Sequence, residues 1–455
     1  MMKTGKMRQT RFAGKHGGRG LQLPFLLATA LGMSVGFMPS PAPADPDDAW
    51  WEKSSEVTLQ ERRALRKQFS DAFTAKLGPE YETNIPYVSK QTIDGLNKAI
   101  LRYRKIVAGG GWRPFSGKAT IRPNDRGAHV EELRRHLELT GDARIRSRRP
   151  SVYDAGLQEA VARFQSRHGL VVTGFVDSRT RRALNVPALE RLRQLETNLV
   201  RLKDLMKINR AKRYVLVNVP AFKLQAVEGG TVALQSKVVV GKPATQTHLI
   251  SAKIRELNFY PYWRVPDSIA RRDIIPAIRR DPSYFDKLNF RLLPTWGAKP
   301  IPPEQIDWSS PDIFKRKFRQ EPGRGNALGV LRINMPNKEI LYLHDTPLKQ
   351  LFDRNTRAYS AGCVRVKRVL DLAAWLARDV KDWSRMRIDV TVALGKSKNV
   401  KMKKPVPVHF VYVTAWTNGK GIVQFRNDLY SLDGGDMKIA EAEKLAVPRS
   451  NTFAP

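Results

Sequence analysis

The spacing of apolar residues changes once along this chain. Up to about residue 212 they recur every three or four positions, the period of a buried helix stripe; beyond Arg213 they alternate or cluster in short blocks, as in strands. In the first half, Leu59, Leu65, Phe69, Phe73 and Leu77 predict a helix over Thr58 to Leu77, ended by Gly78-Pro79. Ile93, Leu96, Ile100, Tyr103 and Val107 predict a second over Thr92 to Val107, stopped by Gly109-Gly-Gly111. Neither carries a cluster of acids, bases or metal ligands, so both read as scaffold. Residues 116 to 187 then hold three short helices. Val130, Leu133 and Leu137 line the first, and Leu157, Val161 and Phe164 the second, which ends at Gly169. Asp177 caps the third. Leu189, Leu192, Leu195, Leu199, Leu202 and Met206 mark one long helix from Pro187 to about Asn209. If that helix packs on the first two, the small bundle is an insertion in a helical scaffold.

In the second half, Tyr214 to Val219, Phe222 to Val227 and Thr231 to Val240 predict strands, the last two joined by the hairpin signal Glu228-Gly-Gly230. Residues 267 to 327 read as a mixed helical insertion with Pro-rich turns, and Gly323, Gly325 and Gly329 are candidate hinges. A short strand is expected over Ile340 to Leu343, ended by Pro347. A helix is expected from Val369 to Val380. Arg387 to Leu394, His409 to Ala415 and Ile422 to Phe425 are expected strands, the last two joined by Asn418-Gly419. Residues 434 to 455 form a polar tail.

Length and charge narrow the picture. A chain of 455 residues suggests about three domains. The net charge of +37 suits nucleic acid, an anionic membrane or an acidic polymer. Lys3, Lys6, Arg8, Arg11, Lys15 and Arg19 precede an uncharged run from Leu21 to Met38, then Ala42-Pro-Ala44, in the order of a secretory signal peptide with an A-x-A cleavage site. An uncleaved membrane anchor is the competing reading, since a spanning helix needs about 20 apolar residues. Either way the body is exported, which removes most of the case for nucleic acid. A single cysteine allows neither an intrachain disulfide nor a Cys-rich zinc site. His129 and His136 have no third ligand, and no metal or cofactor is expected.

The candidate chemistry lies between Leu341-Tyr-Leu-His-Asp-Thr-Pro and Ser360-Ala-Gly-Cys-Val-Arg365, which hold Cys363, the only cysteine, and His344, one of seven histidines. A thiol on a small-residue turn, reached by an imidazole from a neighbouring strand, is the layout of a cysteine nucleophile and its base. The bland alternative is a small buried apolar cysteine and a structurally satisfied histidine. His-Asp-Thr-Pro followed by Ser-x-Gly-Cys-x-Arg-Val resembles the active-site signature of the L,D-transpeptidases, the YkuD-like cysteine enzymes of peptidoglycan, and most of all their large multidomain branch. Where many members have Ser-His-Gly-Cys, this chain has Ala361. Asn218-x-Pro220-x-Phe222-x-Leu224 and Asn258 to Pro266 are similar to further segments of that family; the aromatic crowding around Trp263 fits either a groove wall or core packing. Gly127-x-x-Val130-x-x-Leu133, Phe164-Gln165-x-x-His168-Gly169-Leu170 and Thr180-x-x-Ala183-Leu184-Asn185 resemble the peptidoglycan-binding domain of wall enzymes.

The resemblance implies a multidomain α+β protein. Residues 1–44 form a signal peptide, 45–115 and 188–212 a helical scaffold, and 116–187 a three-helix peptidoglycan-binding domain. Residues 213–433 form a mainly β catalytic domain with a helical lid at about 267–327, and 434–455 the tail. It implies acyl transfer without cofactor: Cys363 attacks the third residue of a tetrapeptide stem, D-alanine leaves, and a second stem resolves the thioester as a 3→3 cross-link. His344 is the base and then the acid. The amides of Gly362 and Cys363 are oxyanion donors, with the Tyr342 hydroxyl as a third candidate. The Asp345 carbonyl orients the ring, and Arg365, Ser360 and Trp263 bind substrate. The partner is peptidoglycan in the periplasm or cell wall, with a membrane involved only if the leader stays on; the oligomeric state is left open. With water or a protein lysine as acceptor, the same residues make a carboxypeptidase, an endopeptidase or an anchoring enzyme. A non-catalytic wall-binding protein is the remaining alternative.

Overall fold

A computed structural model describes residues 59 to 434 apart from residues 82, 116–119, 145–146 and 209–210. The predicted leader and tail lie outside the described residues. Six helices come first: α1 (Leu59–Tyr81), α2 (Lys90–Ala108), α3 (Ala128–Thr140), α4 (Ala155–Arg167), α5 (Ser178–Leu184) and α6 (Ala188–Ile208). Local chemistry accounts for their ends. The Ser89 hydroxyl accepts the Thr92 amide at the start of α2, and Asp154 and Asp177 cap α4 and α5 in the same way. Helix α1 does not stop at Gly78-Pro79 as the dipeptide predicts. It runs on to Tyr81, because Leu77 and Tyr81 pack with Ala162 and Val172 of the small bundle. Tertiary burial outweighs the local breaker there.

The next four strands are β1 (Arg213–Asn218), β2 (Lys223–Glu228), β3 (Thr231–Gly241) and β4 (Ser251–Phe259). Then come β5 (Trp263–Arg264), α7 (Asp267–Ile269), α8 (Ile275–Arg280), α9 (Ser283–Lys287), β6 (Phe290–Leu293) and β7 (Lys317–Gln320). The chain continues as β8 (Leu331–Asn334), β9 (Leu343–His344), β10 (Ala358–Ser360), β11 (Val364–Val366), α10 (Val369–Ala377) and α11 (Arg385–Leu394), and ends in β12 (Lys398–Val411), β13 (Ala415–Thr417) and β14 (Val423–Phe425). The main sheet has the order β10-β3-β11-β9-β8-β4-β12-β1-β2, and β2 also pairs with β3, so the pairings close into a ring. One face of this sheet, with Val215, Val217, Ile254, Leu331, Leu343 and Val364, shares a core with Leu372 and Leu376 of α10. The alternate residues Tyr214 and Leu216 face the other way, onto Leu96 and Tyr103 of α2 and Leu195 and Leu202 of α6. Scaffold helices and main sheet therefore share one core, and the three-helix bundle is inserted between α2 and α6 with a core of its own.

Two expectations are corrected. Residues 387–394 are not a strand: Ser384 caps α11 and Gly395 (φ 68°) ends it in the left-handed conformation. Ile340 is not strand either. It is 73% exposed with φ 51°, so only Leu343 and His344 pair. The insertion carries the helices α7–α9 and also a three-stranded sheet, β5-β7-β6, around a separate core of Ile274, Ile278, Phe285, Phe290 and Phe318. The Asn326 carboxamide donates to the Pro261 carbonyl at 3.1 Å, and the Tyr260 amide to Val330 at 2.9 Å, which pins entry and exit together. Gly329 (φ 61°) is a site of close approach, because a Cβ there would lie 2.4 Å from the Asp345 carboxylate.

The bundle is docked through a file of rings. Trp112, His136, Phe164, His168 and Phe425 follow one another with successive centroids 4.7, 6.3, 4.0 and 5.2 Å apart, the second contact edge to face and the last two stacked. Burial first, then the Arg167 and Arg191 cations, pushes His136 down to about 3 and His168 well below the usual imidazole range. Burial also lowers His409 to about 4. A histidine held neutral in the fold protonates only on unfolding, so stability is unaffected above pH ~6.5 and falls as pH drops below it. At pH 5 each such histidine costs about 2 kcal/mol. Denaturant unfolding at pH 7.5 and pH 5 should show this loss, and His168→Phe should reduce it; equal stability at the two pH values contradicts the assignment.

Candidate active site

Strand register assembles the site. Cross-strand partners share a face, and Arg332 of β8 pairs with His344 of β9, which pairs with Arg365 of β11. These three side chains form one rung, continued by Asn258 of β4, whose carboxamide oxygen accepts from Arg332 Nε at 3.0 Å. Two residues before His344 and Arg365, just ahead of β9 and β11, come Tyr342 and Cys363, tied by the Val364 amide donating to the Tyr342 carbonyl at 3.1 Å. The Tyr342 and His344 rings lie 5.7 Å apart, edge to face. Cys363, a free and half-buried thiol, points its Sγ to the Ile340 carbonyl at 3.8 Å.

The turn that presents the thiol is braced from behind. Thr247 Oγ1 donates to the Gly362 carbonyl at 2.7 Å and accepts the Gly241 amide at 2.9 Å. The Tyr430 hydroxyl accepts the Thr247 amide and donates to the Gly241 carbonyl. Gly241 must be glycine, since a Cβ would lie 2.1 Å from the Thr245 carbonyl. Gly362 has φ 124°, a conformation open to glycine. Its amide is not free to serve as an oxyanion donor in this state, because it donates to Ser360 Oγ at 3.1 Å. Ser360 is buried and its hydroxyl, accepting that amide, serves the turn. The Asp345 side chain is committed elsewhere, to Lys349 and to the Val330 amide. Only its backbone carbonyl bears on His344, favouring the protonated ring.

Burial and the neighbouring Arg365 cation push His344 down to about 3, and its Nδ1 is buried without a hydrogen-bond partner among the described residues. Burial pushes the Cys363 thiol up, against the backbone and hydroxyl of Tyr342 and the Arg365 and Arg332 cations, which favour the thiolate. In the resting state thiol and imidazole are thus both neutral, each set by its burial, with the Arg365 cation acting on both. The Tyr342 hydroxyl is raised by burial and then by the neighbouring Cys363 sulfur, while Arg332 and Trp263 act in the opposite direction. Arg365 is lowered by burial, and among the described residues its Nε and Nη1 are buried without partners. An unpartnered buried guanidinium is costly unless an anion arrives to meet it. Alkylation of Cys363 by iodoacetamide should therefore be slow at pH 7 and keep rising with pH beyond the ordinary thiol range near 8.5; a plateau below pH 7 contradicts the neutral pair.

The register thus brings Cys363, His344, Tyr342, Trp263 and Arg365 together. Arg332 is a site residue that sequence reasoning missed. Its signal was present in Leu331-Arg-Ile333, an arginine on the outward position of an apolar strand, but only the long-range β8–β9 pairing puts it beside His344. No group of three or more histidine, cysteine or acidic residues able to hold a metal exists among the described residues. A separate cavity of 740 Å³, lined by Arg378, Lys381, Trp383, Lys401 and Lys403, lies apart from the thiol.

Residues 212–408 match the L,D-transpeptidase catalytic domain family (YkuD), and residues 126–184 match a family described as "Putative peptidoglycan binding domain". A protein of Haemophilus influenzae named "Putative L,D-transpeptidase" is 35% identical over 220 residues, which cover 48% of this chain. The match spans 44% of that relative's length, so less than half of it. Among solved structures, an L,D-transpeptidase of Xylanimonas cellulosilytica overlaps at 14% identity with a TM-score of 0.21, covering 66% of this chain and 100% of that one. One from Stackebrandtia nassauensis overlaps at 13% identity with a TM-score of 0.25, covering 64% and 94%. Overlaps this slight establish nothing about activity.

Proposed function

Because the chain carries an L,D-transpeptidase catalytic domain and a peptidoglycan-binding domain, we propose that it is a peptidoglycan L,D-transpeptidase working through a Cys363 thioester. The observation that carries this reading is the shared sheet face on which Cys363, Tyr342, His344 and Arg365 meet, with Arg365 buried and short of partners. A carboxylate of the donor stem docks on Arg365 as a charge-assisted pair. Neutral His344 takes the thiol proton as Sγ attacks the carbonyl of the third stem residue. The Cys363 amide and the Tyr342 hydroxyl meet the oxyanion. The imidazolium returns its proton to the D-alanine amine as the C–N bond breaks, leaving a thioester. The amine of a second stem, with His344 again as base, displaces the thiol and forms the 3→3 link.

The domain boundaries given above go with this reading, as does export to the periplasm or cell wall by the 1–44 leader. Among the described residues no helix is long and apolar enough to cross a membrane. A net charge of +37 suits a wall polymer whose stems bear carboxylates. The test is to incubate the protein with purified disaccharide-tetrapeptide and resolve the products by mass. Dimers joined at the third residues, absent with Cys363→Ala, are expected. Tripeptide without dimer makes water the acceptor and overturns the transpeptidase reading in favour of a carboxypeptidase.

A further inference from the structure

The insertion's small sheet presents a second cationic surface next to the thiol. Antiparallel pairing sets Arg264 of β5 opposite Arg319 of β7, and Arg319 opposite Arg291 of β6. Residues paired in this way share a face, so three arginines form a row across the whole sheet. Neighbouring strands lie about 4.8 Å apart, which makes the row about 10 Å long. The opposite face holds the insertion's core, with Phe290, Leu292 and Phe318. Two exposed rings flank the row, and one of its three arginines is paired with an acid. The Trp296 ring, 39% exposed, lies 5.3 Å from the Arg264 guanidinium, and the Tyr262 ring, 47% exposed, lies 4.9 Å from that of Arg319. Among the described residues only Arg319 has a carboxylate partner, Glu321 at 2.7 Å. Arginine stacked on a ring keeps its planar fork ordered and available for a bidentate carboxylate.

The β5 end of the row lies beside the candidate site. Trp263, which precedes Arg264 in β5 and sits on the opposite face of the small sheet, interacts with Tyr342, which in turn interacts with Cys363. Arg332, in the rung with His344, lies within electrostatic reach of both Arg264 and Cys363. Cross-linking joins two stems, each bearing carboxylates. The proposed function gives Arg365 to the donor stem, so a second cationic locus near the thioester suits the carboxylates of the second stem. We propose that the Arg264–Arg319–Arg291 face of the insertion is the binding track for the acceptor, a carboxylate-bearing peptidoglycan stem. The inference rests on the transpeptidase reading and adds the acceptor's place to it.

The test separates the two. A disaccharide-tripeptide lacks the terminal D-alanine, so it is an acceptor that cannot act as donor. Its equilibrium binding to the full chain carrying Cys363→Ala is measured with and without R264Q/R291Q. Acylation by disaccharide-tetrapeptide is followed by intact mass in the Cys363 protein, again with and without the pair. The expected result is acceptor binding weakened about tenfold or more, the loss of one to two charge-assisted bonds, with the acylation rate within about twofold and the unfolding midpoint unchanged. Unchanged acceptor binding overturns the track. An acylation rate that falls by the same factor as binding also overturns it, by assigning the row to the donor. A parent protein that is never acylated defeats the transpeptidase reading instead, while the binding comparison still decides the track.

Discussion

His344→Gln slows acylation of Cys363 by roughly 10²- to 10⁴-fold, the span general-base catalysis contributes, and leaves the fold intact. The physical ground is the neutral resting pair. With His344 at about 3, the imidazole is an unprotonated acceptor throughout the physiological range. Burial keeps the thiol protonated, so the nucleophile forms only as its proton is removed. Glutamine fills similar space and cannot take the proton. The pH profile gives a second check. A catalytic imidazole of ordinary pKa shuts off as pH falls through about 6.5. Here His344 remains neutral to far lower pH, so acylation shows no acid limb from this group near 6.5. Single-turnover acylation from pH 5 to 9 checks both points. An undiminished rate in His344→Gln removes the residue from the mechanism.

Arg365→Gln raises the tetrapeptide concentration needed for half-maximal acylation by about 10- to 100-fold, the worth of one or two hydrogen bonds between charged groups. The guanidinium is buried with Nε and Nη1 unpartnered, so it is preorganised for an anion and gains most when one arrives. It also acts at a distance on both partners. Its charge favours the Cys363 thiolate and disfavours protonated His344. Removing it shifts the thiol further up and the imidazole back toward its ordinary value, so the alkylation profile of Cys363 moves to higher pH. Half-saturation and alkylation profile both unchanged would contradict a substrate-binding Arg365.

Much of the framework is written in local pattern. Stripes such as Leu96, Ile100 and Tyr103 are the buried faces of their helices, and Glu228-Gly-Gly230 is the β2–β3 turn, with both glycines at positive φ. Where local and tertiary signals compete, the pattern misleads. The β-branched run in Arg385–Leu394 predicts a strand, but Ser384 and Gly395 mark helix ends and the flanking caps decide. Lysine is uncommon in strands, and the Lys-rich stretch from Lys398 to Lys404 conceals the first half of β12, where only Val400 and Met402 turn inward.

The candidate site was legible to a similar degree. Cys363 and His344 stand out because their residue types are scarce and their surroundings small and apolar. Arg332 and the arginine row do not, because strand register is a property of distant pairings that spacing along the chain does not encode. Ser360, Gly362 and Asp345 sit beside the chemistry in sequence, and for that reason attract catalytic roles. Ser360 bonded to Gly362, and the Asp345 side chain to Lys349 and Val330, build the turn and strand beside Cys363 and His344.

The most direct measurement is the intact mass of the protein after brief exposure to disaccharide-tetrapeptide, followed by peptide mapping of the modified form. The account predicts a single adduct equal to the donor less D-alanine, mapped to Cys363 and absent from Cys363→Ala. An adduct on another residue, or product formed by Cys363→Ala at the parent rate, would contradict it.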